Sequence, residues 1–197
     1  MRILLLLLAF AGAAESQNSD IGLLVGGTVP SSKAEITGTT ITSSATGGIS
    51  YQFSYAWQFH GWRAVDLHLE VPVAGYLGNA SGMIAPGIVT GSAGRAVFLT
   101  PGVRFMFHVQ RRASLYAATG FGPAWLNTIT GTVAQTVSST SHTSAHPAFE
   151  AGGGIDIRLS RVLSLRAETR DFIASGSLAG VTDRNHVLFQ FGIGLHF

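Results

Sequence analysis

Val187-Leu188-Phe189-Gln190-Phe191-Gly192-Ile193-Gly194-Leu195-His196-Phe197 decides the fold. Val187, Phe189, Phe191, Ile193, Leu195 and Phe197 are large and apolar, while Gln190, Gly192, Gly194 and His196 between them are small or polar. A period of two is a β-strand with one apolar face. A strand of this length fits the span of a transmembrane barrel strand.

The rest of the chain repeats the pattern. Strand one is expected from Asp20 to Thr28, with Ile21, Leu23 and Val25 on one face. In strand two, Ile49, Tyr51, Phe53, Tyr55, Trp57 and Phe59 alternate with Ser50, Gln52, Ser54, Ala56 and Gln58. Strand three sets Val65, Leu67, Leu69, Val71 and Val73 against Ala64, Asp66, His68 and Glu70. Strand four carries Val97, Leu99, Val103, Phe105 and Phe107, and Pro101, which cannot donate a ladder bond, predicts an irregularity inside it. Strand five follows Leu115, Ala117, Phe121 and Trp125. Strand six follows Phe149, Ala151, Ile155, Ile157 and Leu159, and strand seven Leu163, Leu165 and Ala167. Strand eight is the terminal one. Turns fall near His60-Gly61-Trp62, Gln110-Arg111-Arg112 and Ser160-Arg161. Long loops are expected from the end of strand one to Gly48, over Gly75–Gly94, over Asn127–His146 and from Phe172 to Asn185. An even strand count closes an antiparallel barrel without an edge. The expected fold is therefore all-β: an eight-stranded antiparallel up-and-down transmembrane barrel. Long loops should be extracellular, and short turns and both termini periplasmic.

Composition agrees. Charged residues make up 11% of the chain, and Lys33 is the one lysine. A soluble domain carries about a quarter. There is no cysteine, and no dense basic run that would mark a nucleic-acid binder. Beyond the N-terminus no apolar run is long enough for a spanning helix. Met1-Arg2, the apolar run Ile3–Phe10 and Ala11-Gly12-Ala13-Ala14 read as a secretory signal peptide. Residues 1–14 are assigned to the signal and residues 15–197 to the barrel. The cell outer membrane is the expected location.

The bulky face should meet lipid, because an eight-stranded barrel leaves an interior just wide enough for side chains to fill. Tyr51, Trp57, Phe59, Trp62, Tyr76 and Trp125 sit near expected strand ends and fit interfacial girdles. The inward face carries Asp66, His68, Glu70, Arg104, Glu150, Asp156, Arg158, Arg166, Glu168 and Arg170. Charges in a narrow lumen must be paired, and arginine's fork suits that. These residues are expected to form a lumen ion-pair network. The alternative is a narrow ion or small-solute pathway, but no single-sign ring marks a selectivity filter.

Pro101-Gly102-Val103-Arg104, Gly120-Phe121-Gly122-Pro123, Arg166-Ala167-Glu168-Thr169-Arg170 and the terminal Phe197 stand on this hairpin plan. Together they resemble the small OmpA/OmpX-type outer membrane β-barrel superfamily. The resemblance covers essentially residues 15–197 and speaks to fold more than to function. The chain departs from longer members by ending at Phe197, which puts a wall-anchoring role in doubt. The resemblance implies that Phe197 belongs to an assembly signal read by the barrel-assembly machinery.

One stretch could carry chemistry. His142 and Ser144, with Glu150 nearby, match the His, Ser and Glu spacing of lipid A deacylases, which are similar barrels; Ala145 stands where that family has asparagine. A triad needs fixed geometry, which a Ser/Thr-rich loop supplies poorly. His142, His146 and Glu150 are too loosely spaced for a metal site. Gly152-Gly153-Gly154 lacks the strand–loop–helix setting of a phosphate cradle. The expectation is a non-enzymatic barrel without cofactor or metal. Its partners are outer-membrane lipid, the assembly machinery and an extracellular ligand met by four long loops, with no nucleic acid.

Overall fold

The structure is a computed structural model that describes residues 18–29, 43–62, 64–85, 88–133, 137–174 and 185–197. The proposed signal peptide lies outside these residues. Nine strand segments follow in order: β1 (Ser19–Val29), β2 (Ser43–Gly61), β3 (Val65–Ala85), β4 (Ile88–Leu99), β5 (Gly102–His108), β6 (Ala113–Val133), β7 (Val137–Arg158), β8 (Leu163–Ala174) and β9 (Asn185–His196). β4 and β5 are two halves of one stave, broken at Thr100-Pro101. Both halves pair with β3 on one side and β6 on the other. The ring therefore has eight staves, and the break lies where Pro101 withholds a donor.

All pairings are antiparallel, and the ring closes between the first and last strands, from Asp20↔His196 to Val29↔Val187. Ser19 and Phe197 exchange backbone hydrogen bonds of 3.0 and 2.9 Å, so both described ends lie at one rim, the terminal end. The tight turns after β5 and β7 lie there too. Among the described residues no helix is long and apolar enough to cross a membrane; the crossing elements are strands.

Alternation sorts the wall as its period demands. β8 and β9 alternate buried and exposed residues with few exceptions. Phe191, Phe121, Leu115, Trp57 and Phe105 are exposed around the outside. An apolar outer surface is unfavourable in water and favourable in a bilayer.

Two expectations are corrected. The stretch Gly75–Gly94 is not a loop: β3 runs on to Ala85 and β4 starts at Ile88. Asn127–His146 is not a loop either, since β6 and β7 pair continuously from Ala113↔Ile157 to Val133↔Val137. Glycine, serine and threonine there imitate loop composition, but uncharged threonine-rich stretches also suit a pleated sheet. Among the described residues β7 pairs with β8 from Ala148 onward, while Val137–Pro147, about 35 Å of strand, pairs with β6. Among the described residues, β2, β3, β4, β6 and β7 stay paired with one another beyond the last described pairs of β1, β8 and β9.

Candidate functional site

The lumen is filled in two storeys. The lower one, toward the terminal end, is ionic. Arg104, projecting inward from β5, donates from Nη2 to Glu70 Oε1 at 2.9 Å and from Nη1 to Asp20 Oδ2 at 3.1 Å. Arg166 on β8 donates to Asp20 Oδ1 at 3.2 Å and from Nη2 to Asp156 Oδ2 at 2.9 Å. Arg170, two pleat repeats further along, donates to Glu70 at 2.8 Å, to Glu168 at 2.7 Å and to Glu150. All three guanidiniums and the five carboxylates are buried.

Carboxylates outnumber guanidiniums here, and neutral donors supply the remaining hydrogen bonds. Tyr116 Oη donates to Glu168 Oε2 at 2.5 Å and Gln52 Nε2 to Glu168 Oε1 at 2.6 Å. Thr100, beside the wall break, donates to Glu150, and Ser164 donates to Asp156 at 2.9 Å. The guanidinium carbons of Arg104 and Arg166 lie 5.4 and 5.6 Å from the Tyr116 ring centroid, within cation–π range. Glycine makes the room. A Cβ at Gly154 would stand 2.6 Å from Tyr116 Oη, and one at Gly22 would stand 3.0 Å from Arg166 Nη1.

The structure thus brings together Glu70, Arg104, Glu150, Asp156, Arg166, Glu168 and Arg170. His68 lies beside them, 3.9 Å from Asp20, with no hydrogen bond at either ring nitrogen among the described residues. Two expected members stand apart. Asp66 pairs with His108 at the rim, and Arg158 is half-buried at the mouth and makes no ion pair among the described residues. Asp20 and Tyr116 are hubs that a count of charges on the later strands does not find. Parity alone places both inward, because Ile21 and Leu115 beside them face out.

The upper storey is apolar. Ala74, Tyr76, Ala96, Phe98, Ala124, Leu126, Ala148, Phe172, Ala174 and Leu188 form one buried cluster. Phe98 and Phe172 stack with centroids 4.4 Å apart, and His186 lies 5.5 Å from Phe98. Tyr76, expected in an interfacial girdle, is buried inside this layer and contacts His186 Nδ1 through its hydroxyl at 2.9 Å. Tyr51, Trp57, Phe59, Trp62 and Trp125 do face outward. The interior is therefore not lined by small residues and charges alone: two stacked rings and two leucines occupy its upper half.

His142, Ser144 and His146 lie on β7, where His146 pairs across from Ala124 and Ser144 from Leu126 of that layer, with His142 beyond them. His146 Nε2 and Ser144 Oγ are 3.0 Å apart, but no carboxylate contacts either histidine among the described residues. Glu150 is engaged below by Arg170 and Thr100. The deacylase-like set is thus not assembled. No group of three or more metal-ligating side chains converges among the described residues. Phe197 is half-buried at the closing seam.

A closed ring of eight antiparallel staves with an apolar outer wall and a polar, filled interior defines a transmembrane β-barrel of the outer membrane. Solved structures agree on the fold. Outer membrane protease OmpT from Escherichia coli superposes with a TM-score of 0.56 at 8% identity, over 91% of this chain and 79% of that one. Outer membrane protein OprG from Pseudomonas aeruginosa superposes with a TM-score of 0.54 at 12% identity, over 91% of this chain and 96% of that one. No protein-family model matches the sequence, and no curated protein matches it.

Proposed function

We propose that the protein is a surface-interaction barrel whose working part is the pair of tall hairpins β3–β4 and β6–β7. The observation that carries this is the length of the β3–β4 and β6–β7 hairpins, which pair out to Ala85↔Ile88 and Val133↔Val137. Strand pairs longer than the membrane requires project a rigid surface into water. Residues 77–94 and 127–149 contain no Asp, Glu, Lys or Arg, so this surface recognises by shape and hydroxyl hydrogen bonds, not by charge. The short-turn rim with both termini is assigned to the periplasm, and the hairpins to the outside. The terminal strand with Phe197 is assigned the role of assembly signal.

The narrow-channel alternative loses support from the filled lumen. A continuous water path would have to cross both the guanidinium–carboxylate lattice and the Phe98–Phe172 stack. A lipid A-modifying role loses support from the missing acid at His142 and His146.

The test is display and trimming. An epitope in Ala134-Gln135-Thr136 should be labelled on intact cells, and one at Arg111-Arg112 only after the outer membrane is opened. Deleting residues 129–141 should leave a heat-modifiable barrel but reduce binding of displaying cells to immobilised serum and matrix proteins. Reversed labelling rejects the orientation, and unchanged binding after trimming rejects the assigned surface.

A further inference from the structure

At the terminal-end mouth, Asp66 near the start of β3, His108 at the end of β5 and Ser114 near the start of β6 stand on three neighbouring staves. Asp66 Oδ2 lies 2.6 Å from His108 Nε2, and Ser114 Oγ lies 3.0 Å from His108 Nδ1. An ionised carboxylate only accepts hydrogen bonds, so Nε2 must carry the ring proton of a neutral imidazole. Nδ1 then holds the free lone pair, and the group facing it is the Ser114 hydroxyl. The serine O–H is therefore aimed into an imidazole base that a carboxylate holds in one tautomer. That is the relation of nucleophile, base and orienting acid, and either ring nitrogen of histidine can take the proton.

The same residue types meet nearby in a different order. Ser164 Oγ donates to Asp156 Oδ2 at 2.9 Å and is contacted by His196 Nε2 at 3.0 Å. Its hydrogen is committed to a carboxylate, a much weaker base than imidazole, so the proton is not aimed at His196. The molecule thus contains an activated arrangement and an unactivated comparator. They differ also in access. The His108 side chain is 34% exposed and Asp66 17%, whereas Ser164 is 0% exposed. Ser114, at 6%, sits just inside the rim behind His108.

We infer that Ser114, His108 and Asp66 form a nucleophilic centre of esterase type, open to small carboxylic esters at the mouth. In acylation, Ser114 Oγ bonds to the carbonyl carbon and the bond from that carbon to the alcohol oxygen breaks. The serine proton passes through His108 Nδ1 to the departing alkoxide. Water, deprotonated by the same nitrogen, then releases the acid and restores Ser114. One ester and one water become one acid and one alcohol. The small exposure of Ser114 limits the acyl group to a short one.

The experiment uses purified, folded barrel in detergent, with a fluorophosphonate probe and p-nitrophenyl acetate. The expected result is an adduct on Ser114, within the tryptic peptide spanning residues 113–158. No adduct should form on Ser164, within residues 162–166. Rapid p-nitrophenol release should be lost when the barrel is unfolded by heat. His108→Asn, checked for folding by its gel shift, should slow labelling on the order of 100-fold, the scale of a general base. Absence of a Ser114 adduct overturns the inference. So does equal labelling of Ser164, or equal labelling of folded and heat-unfolded protein, and both comparisons need no variant. Labelling at an unchanged rate in folded His108→Asn overturns it as well. The readout is on isolated protein, so its failure leaves the surface reading and the orientation untouched.

Discussion

The two storeys of the lumen solve one packing problem in opposite ways. The lower storey fills a narrow interior with Arg104, Arg166, Arg170 and their carboxylates; the upper fills it with Phe98, Phe172, Leu126 and Leu188. An ionic filling is specific but fragile, because each member is tolerable only while its partners remain. An apolar filling tolerates the loss of one member in proportion to the cavity left behind. Glu70, held by both Arg104 and Arg170, shows the difference: removing either guanidinium leaves a buried charge with half its compensation.

The sharpest way to break this comparison is Arg170→Ala. It would take from Glu150 and Glu168 their guanidinium and from Glu70 one of two, and a loss of about 4–5 kcal/mol is expected in urea unfolding of the lipid-refolded barrel. A loss under about 1 kcal/mol would mean that water already screens the network. Phe98→Ala should cost somewhat less, about 3 kcal/mol for a ring removed from a packed layer, measured the same way. The same variant removes half of the stacked pair, yet planar-bilayer current should stay at background, because the ionic storey below still blocks the path. Tyr116→Phe deletes one hydrogen bond to a buried carboxylate without changing shape, and a loss of about 1.5–2 kcal/mol is expected. His142→Ala, above both storeys and exposed, should leave unfolding within about 0.5 kcal/mol of wild type.

How far the sequence shows this follows from where period two keeps its contrast. In β8, Arg166, Glu168 and Arg170 alternate with Leu165, Ala167 and Thr169, so face and partners are legible together. In Val97-Phe98-Leu99, Phe172-Ile173 and Val187-Leu188-Phe189 both faces are apolar, so alternation carries no contrast that marks Phe98, Phe172 and Leu188 as filling for the lumen. The apolar storey is hidden for that reason, and Tyr76 with it. The tall hairpins are hidden because their glycines, serines and threonines lack any charge or bulk to mark a face. Asp20 is missed because the ion-pair count starts at strand three. The Ser114 centre is missed because its members come from three staves whose register, not whose spacing, brings them together.

The seam between Ser19 and Phe197 has a consequence of its own. These residues come from opposite ends of the described chain, yet they share two backbone hydrogen bonds. Closing that seam carries the largest loop entropy in the ring, and every other neighbour is a sequential hairpin. The fold is a circle that biosynthesis happens to cut at one place. A barrel with Ser19 and Phe197 joined by a short linker, and opened instead at Gln110-Arg111, has the same hydrogen-bonded neighbours throughout. What such a permutation changes is the order in which staves are made, and the identity of the strand that arrives last.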